Sequence, residues 1–166
     1  MKKLSLFTVL ALLIFACKDK EELTNDYTPI INIENYSLIA ENGATMAADT
    51  NDWKYSENIP SQVLSLFEIN SPSFCVSSLL TYNLAAYPNP VKEVLSISHI
   101  LKDGGMVRYK LVDEQLNVYF ELDSITNSNM AYSFPELEGT GKLLRLYYEV
   151  SNGDCSLIGY GDLKFE

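Results

Sequence analysis

Proton transfer near neutral pH leans on histidine, and this chain of 166 residues holds one, His99, directly after Ser98. A serine nucleophile and a histidine base must meet on one side of the backbone. The stretch LSISHI alternates as a strand does, so Ser98 and His99 point to opposite faces and cannot form that pair. No G-x-S-x-G, H-E-x-x-H, P-loop or dinucleotide fingerprint occurs. Paired carboxylates can hydrolyse a glycoside, but among 22 Asp and Glu residues no pair stands out by spacing. Asp154 and Asp162, near expected turns, read as solvated turn residues rather than calcium ligands. Cys75, Cys155 and the lone His99 offer too few ligands, at no recognisable spacing, for a metal site. The expectation is a protein that is not an enzyme and carries no metal or cofactor.

What remains is aromatic chemistry. The chain has 11 Tyr, 7 Phe and a single Trp, Trp53. Aromatic faces stack on sugars and, with arginine, are enriched where proteins dock. The candidates lie on segments of period two. Val107, Tyr109 and Leu111 alternate with Arg108 and Lys110; Val118, Phe120 and Leu122 with Tyr119 and Glu121; Leu144, Leu146, Tyr148 and Val150 with Arg145, Tyr147 and Glu149; Leu163 and Phe165 with Asp162, Lys164 and Glu166. Leu95 and Ile97 likewise alternate with Ser96 and Ser98. Such alternation predicts antiparallel strands with one face buried and one wet. It places Tyr119, Tyr147 and Tyr160 on the wet side with Arg108, Lys110 and Arg145, a candidate binding face. The competing expectation is that residues 28–40 or the helices below cover that face.

Asp-Gly-Gly at 103–105 and Asn-Gly-Asp at 152–154 supply turn chemistry, the latter for a hairpin of the last two strands. Ahead of the strands, IPSQVLSLFEI and SPSFCVSSLLTYN predict two short helices, the first capped by Ser61 and the second by Ser71 with Pro72 at its first turn. The second would align Cys75, Leu79 and Tyr82 on one face. TPIINIENYSLIA, residues 28–40, is rich enough in Ile, Leu and Tyr for an extended strand laid against the domain. The fold class is therefore α+β, mainly antiparallel β. A helical segment 53–86 precedes strands over 87–166 in one domain, 53–166. Residues 87–166 alone would bury too little surface to be comfortably stable, which gives the helical segment a physical purpose.

The chain opens MKKLSLFTVLALLIFAC. Two lysines, a short apolar run and a small residue mark a secretory signal, and the run is too short for the ~30 Å hydrocarbon core of a bilayer. Around its end the sequence resembles the lipobox of bacterial lipoproteins, with Ile14 at the first position, Ala16 before the cut and Cys17 after it. The resemblance implies removal of residues 1–16, a lipid on Cys17 and a tether over 17–52. Lys18, Asp19, Lys20, Glu21 and Glu22 form a solvated tether, and they are also similar to the acidic export signal of Bacteroidota-type surface lipoproteins. Outer-membrane anchoring follows from the resemblance, with the domain facing either the periplasm or the cell surface. In such an oxidising setting Cys75 and Cys155 remain as an even pair, expected to form a disulfide; the alternative is two separate buried thiols.

YPNPVKEVLSIS (87–98), VRYKLVDEQLNVYFE (107–121) and GKLLRLYYEVSNGD (141–154) resemble the C-terminal sorting domains of the type IX secretion system. That resemblance covers about the last half of the chain and implies an immunoglobulin-like β-sandwich. Departures are Glu114 and Gln115 at a position where glycine is usual, and an acidic final strand, LIGYGDLKFE. The net charge of −10, which becomes −12 without Lys2 and Lys3, repels phosphate and excludes nucleic acid as a partner. The expected function is a lipid-anchored envelope lipoprotein acting as a structural or protein-interaction module. A glycan- or small-ligand-binding surface lipoprotein is the alternative, and a sorting-domain-like module a lesser one.

Overall fold

The computed structural model describes residues 28–56, 58–69, 82–101, 105–126, 129–152 and 155–166. In chain order they form β1 Leu38–Ile39, β2 Thr45–Ala47, β3 Lys54–Tyr55, α1 Ser61–Leu66, β4 Tyr82–Tyr87, β5 Val94–Leu101, β6 Met106–Val112, β7 Val118–Ile125, β8 Asn129–Ser133, β9 Leu143–Ser151 and β10 Ser156–Lys164. Cys17, the expected signal and lipidation site, lies outside the described residues, as do Cys75 and most of the second expected helix.

The described chain is mostly antiparallel β with one short helix. A five-stranded sheet runs β3-β10-β9-β6-β7, a three-stranded sheet β4-β5-β8, and β1 pairs β2. The larger two share one apolar cluster. Leu84, Ala86, Leu95 and Ile97 come from the three-stranded sheet, and Tyr109, Leu111, Leu146, Tyr148 and Leu163 from the five-stranded one. The period of two creates this arrangement, because each strand sends alternate apolar side chains to one side. Each fully buried Leu or Ile contributes about 1.5–3 kcal/mol of transfer free energy.

β9 and β10 pair from Ser151↔Ser156 to Leu143↔Lys164, the expected hairpin. Gly159 and Gly161 on β10 are sites of close approach: a Cβ at either would overlap Tyr148 or Trp53. Beyond β3, the edge of β10 is closed by the turn between β4 and β5. Val91 N–H donates to Lys164 O at 2.7 Å, and Glu166 N–H to Val91 O at 2.8 Å.

Several expectations are corrected. Tyr82 and Asn83, expected in the last turn of a second helix, begin β4 instead. Ser61 does not cap α1; Pro60 occupies the cap position with no side-chain bond, and the Ser65 hydroxyl turns back to Ser61 O at 3.0 Å. Residues 28–40 are mostly not laddered. Only Leu38–Ile39 is strand, while Ile31 and Ile33 are buried without joining a ladder. On β7 the register with β6 shifts between Leu111 and Val112, so Val118 is 45% exposed although alternation assigns it to the core.

Candidate functional site

Strand pairing sets Arg108, Lys110, Tyr147, Tyr160 and Arg145 on one face of the five-stranded sheet, through Arg108↔Glu149, Lys110↔Tyr147, Tyr160↔Tyr147 and Asp162↔Arg145. Alternation located these side chains correctly, but the face is not bare. Ile31, Ile33, Val63 and Phe67 pack against Val112, Tyr147 and Ile158 as a second apolar cluster, leaving Tyr147 only 2% exposed. α1 therefore does for the outside of this sheet what the three-stranded sheet does for its inside. Tyr119 does not join the set. It packs against the main core, and its hydroxyl accepts from Lys142 Nζ at 2.9 Å.

The cations on this face are also engaged. Arg108 pairs with the buried Glu149 and stands over the Phe67 ring, its guanidinium carbon 5.4 Å from the centroid. Lys110 pairs with Glu121. Arg145 makes a two-pronged contact with Asp162, at 2.6 and 2.7 Å, and donates to Asn32 O at 3.0 Å. Its guanidinium carbon lies 3.9 Å from the centre of the Tyr160 ring. Asp162 is thus buried and paired, not a solvated turn residue; Asp154 lies outside the described residues. Burial pushes the Asp162 carboxyl up to about 6, against the pull of Arg145. For Arg145 burial opposes the charge, yet the bonds to Asp162 prevail and hold its pKa above the usual arginine value.

Asp52 joins this cluster from the N-terminal side. Its carboxylate accepts the Ser37 N–H at 2.7 Å and the Asp162 N–H at 2.9 Å. Burial raises its pKa, and the two backbone bonds oppose the rise. A shallow pocket of about 170 Å³ opens here, with Asn32, Asn35, Asp49, Asn51 and Tyr160 at its rim. Among the described residues no group of three or more His, Cys, Asp and Glu is arranged to hold a metal ion.

His99 is 1% exposed on the core face of β5, and Ser98 lies on the other face. Its Nδ1 is 2.9 Å from the Tyr109 hydroxyl, while Nε2 has no partner among the described residues. Burial lowers its pKa. His99 thus belongs to the packed interior between the two sheets.

A second exposed face lies on the three-stranded sheet. The strands of the three-stranded sheet read YNLAAY, VLSISHIL and NMAYS, without one Asp, Glu, Lys or Arg. Every strand of the five-stranded sheet carries at least one charged residue. The outer face of the uncharged sheet is a lattice of Ala85–Ser98–Asn129 and Tyr87–Ser96–Ala131, flanked by Ile100 and Val94, which are 66% and 43% exposed. At Val94 this face runs into a groove of about 610 Å³ shaped by Leu38, Met46, Pro88 and Pro90, with Lys92 and Glu93 at its margin.

No protein-family model, curated protein or solved structure matches this chain.

The reading of function therefore rests on the residues themselves. Sequence reasoning singled out the arginine and tyrosine face and passed over the uncharged sheet. Its signal was present in composition: three strand segments free of charge in a chain that is 20% charged.

Proposed function

We propose that this chain is an envelope lipoprotein, anchored by a lipid on Cys17, whose domain works by docking a protein rather than by catalysis. The observation that carries the docking reading is the uncharged outer face of the β4-β5-β8 sheet, continuous with the Leu38–Met46–Val94 groove. An uncharged face of mixed small, polar and apolar residues, with Ile100 and Val94 exposed on it, on an otherwise acidic chain fits an interaction site. An immunoglobulin-like sandwich is the finer fold proposed. It is supported by the order β4-β5-β8 facing β7-β6-β9-β10, in which the fourth of seven successive strands has joined the opposite sheet. The outer membrane is the proposed location, with the domain facing the periplasm or the cell surface.

Two measurements test the proposal. Metabolic labelling with a fatty acid should mark the wild type and not Cys17→Ser, and an unlabelled wild type refutes the anchor. Ile100→Glu with Val94→Glu should leave the unfolding midpoint within error while abolishing envelope cross-links made by the wild type; retained cross-links refute the docking face.

A glycan-binding reading has one observation in its favour, the small pocket at Asn32, Asn35, Asn51 and Tyr160. Retention on a glycan array that is lost with Asn51→Ala would establish it. A sorting role in secretion rests on sequence resemblance alone.

A further inference from the structure

Two features of the three-stranded sheet go together: its strands carry no charge, and β8 is its edge strand among the described residues. Among the described residues β8 pairs with β5 on one side and with no strand on the other. Natural edge strands are blunted by charged side chains, prolines or bulges that stop another strand from adding. The corresponding edge of the five-stranded sheet follows that practice, since β7 has Glu121 and Asp123 and register shifts against β6. β8, Asn129–Ser133, has no such protection. Its inward residues Met130 and Tyr132 pack against the core and are only partly buried, so the core reaches the margin there.

We infer that this edge receives a second copy of the same chain. β8 pairs antiparallel with its own mate about a two-fold axis at Ala131, continuing two three-stranded sheets as one of six. The inference rests on the reading of this sheet as a docking surface and names its occupant. Charge selects that occupant. A cationic partner would be drawn to the acidic remainder of the molecule and would need no neutral strip. A partner that itself carries −12, the charge left once residues 1–16 with Lys2 and Lys3 are removed, can approach closely only where neither side presents a charge. The strand is also self-complementary. Pairing at Ala131 sets Asn129 opposite Ser133 on the outer face and Met130 opposite Tyr132 on the core face, with no like charges opposed. Asp123 lies one layer below, because the Phe120 ring on β7 sits 4.7 Å from that of Tyr132 on β8. Its repulsion across the axis, added to that of two acidic chains, makes the pairing tighten as salt is added.

The test uses the full chain purified in detergent. Directly opposed residues in an antiparallel pair have Cα atoms about 4.5–5.5 Å apart, within disulfide reach. Ala131→Cys should therefore give a species of doubled mass on mild oxidation, reversed by reductant. Wild type and Met46→Cys, at an exposed position off the axis, should not. Sedimentation should show a dimer fraction that rises with sodium chloride and is absent in Ala131→Glu. A photo-reactive residue at Ile100 separates the failures. If it joins a different envelope protein while Ala131→Cys stays single, the second copy is overturned and the docking surface stands. If neither probe yields an adduct, both readings fall. Equal cross-linking through Met46→Cys would mean random collision and would also overturn the dimer.

Discussion

The side-chain amide of Asn89 donates to the carbonyl oxygen of Ser37 at 2.8 Å, across 52 residues of chain. The same nitrogen donates to Asp162 O at 2.8 Å, and the amide oxygen accepts the Lys164 N–H at 2.9 Å. Backbone bonds tie Asn89 to Ile39 in both directions, at 2.8 and 2.9 Å. One fully buried side chain thus stitches the N-terminal segment, the turn between β4 and β5, and the edge of β10. Asn89→Ala removes three bonds and leaves two carbonyls and an N–H buried without partners. At about 1–3 kcal/mol for each unsatisfied group, a loss on the order of 3 kcal/mol is expected in urea denaturation. A change below about 1 kcal/mol would mean that water replaces the amide and that the stitch is not structural.

Tyr147 and Tyr119 should behave differently. Tyr147 is 2% exposed, packed beneath α1 and Ile33, with its ring 5.8 Å from that of Tyr160. Tyr147→Ser opens a cavity in the second cluster, and large-to-small changes at such sites cost about 3–5 kcal/mol. Tyr119, half-buried at a sheet edge, should cost about 1 kcal/mol when replaced by serine. Equal losses for the two variants would contradict the burial difference.

Legibility in the sequence followed the range of the interactions. β5, β6, β9 and β10 were readable because their period of two is a local property of the chain. β4 was not: in YNLAAY the leucine and alanines also suit a helix, and only pairing with β5 makes them strand. β8 offered just Met130 and Tyr132 as apolar positions, too few to show a period. The orientation of Tyr147 was legible; its burial under residues 28–40 or a helix was one of two expectations, and the choice depended on Ile31, Ile33 and Phe67 arriving from distant parts of the chain. Asn89 between two prolines read as a turn; its tie to Ser37 is a long-range contact that no local pattern announces. Asp52 and Asp162 were obscured in the same way, as ordinary loop and strand carboxylates until the fold brought them together.

A bond between Cys75 and Cys155 is an expectation with its own test, since Cys75 lies outside the described residues. A bridge between those positions closes a long loop and would contribute on the order of 4 kcal/mol in the chain-entropy model. Thiol alkylation in denaturant without reductant should leave both cysteines unlabelled, with labelling only after reduction. Reductant should also lower the unfolding midpoint of the wild type and not that of Cys75→Ser with Cys155→Ser. Labelling of both cysteines before reduction would establish separate thiols.

Acid should act on this domain through two opposed sets of buried groups. Burial lowers the folded pKa of His99 from its ordinary 6.5, so below about pH 6.5 the unfolded chain takes up a proton that the folded chain refuses. Stability conferred by neutral His99 is therefore lost as pH falls through that value, by at most about 1.4 kcal/mol per pH unit. Asp162 has the opposite sign: its folded pKa is raised from 3.8 to about 6, so the folded chain binds the proton first. Its contribution is fully present below about pH 3.8 and is lost as pH rises through 6, and Asp52, also raised, acts in the same direction. Between pH 6 and 4 the histidine and the carboxylates offset each other in the wild type, leaving a shallow dependence. His99→Asn keeps a polar group toward the Tyr109 hydroxyl but takes up no proton. Urea denaturation between pH 7.5 and 5 should show this variant gaining stability relative to the wild type as pH falls below about 6.5. Parallel pH profiles for the two proteins would mean that His99 accepts its proton inside the fold, and the unpartnered Nε2 would then have to be reached by water.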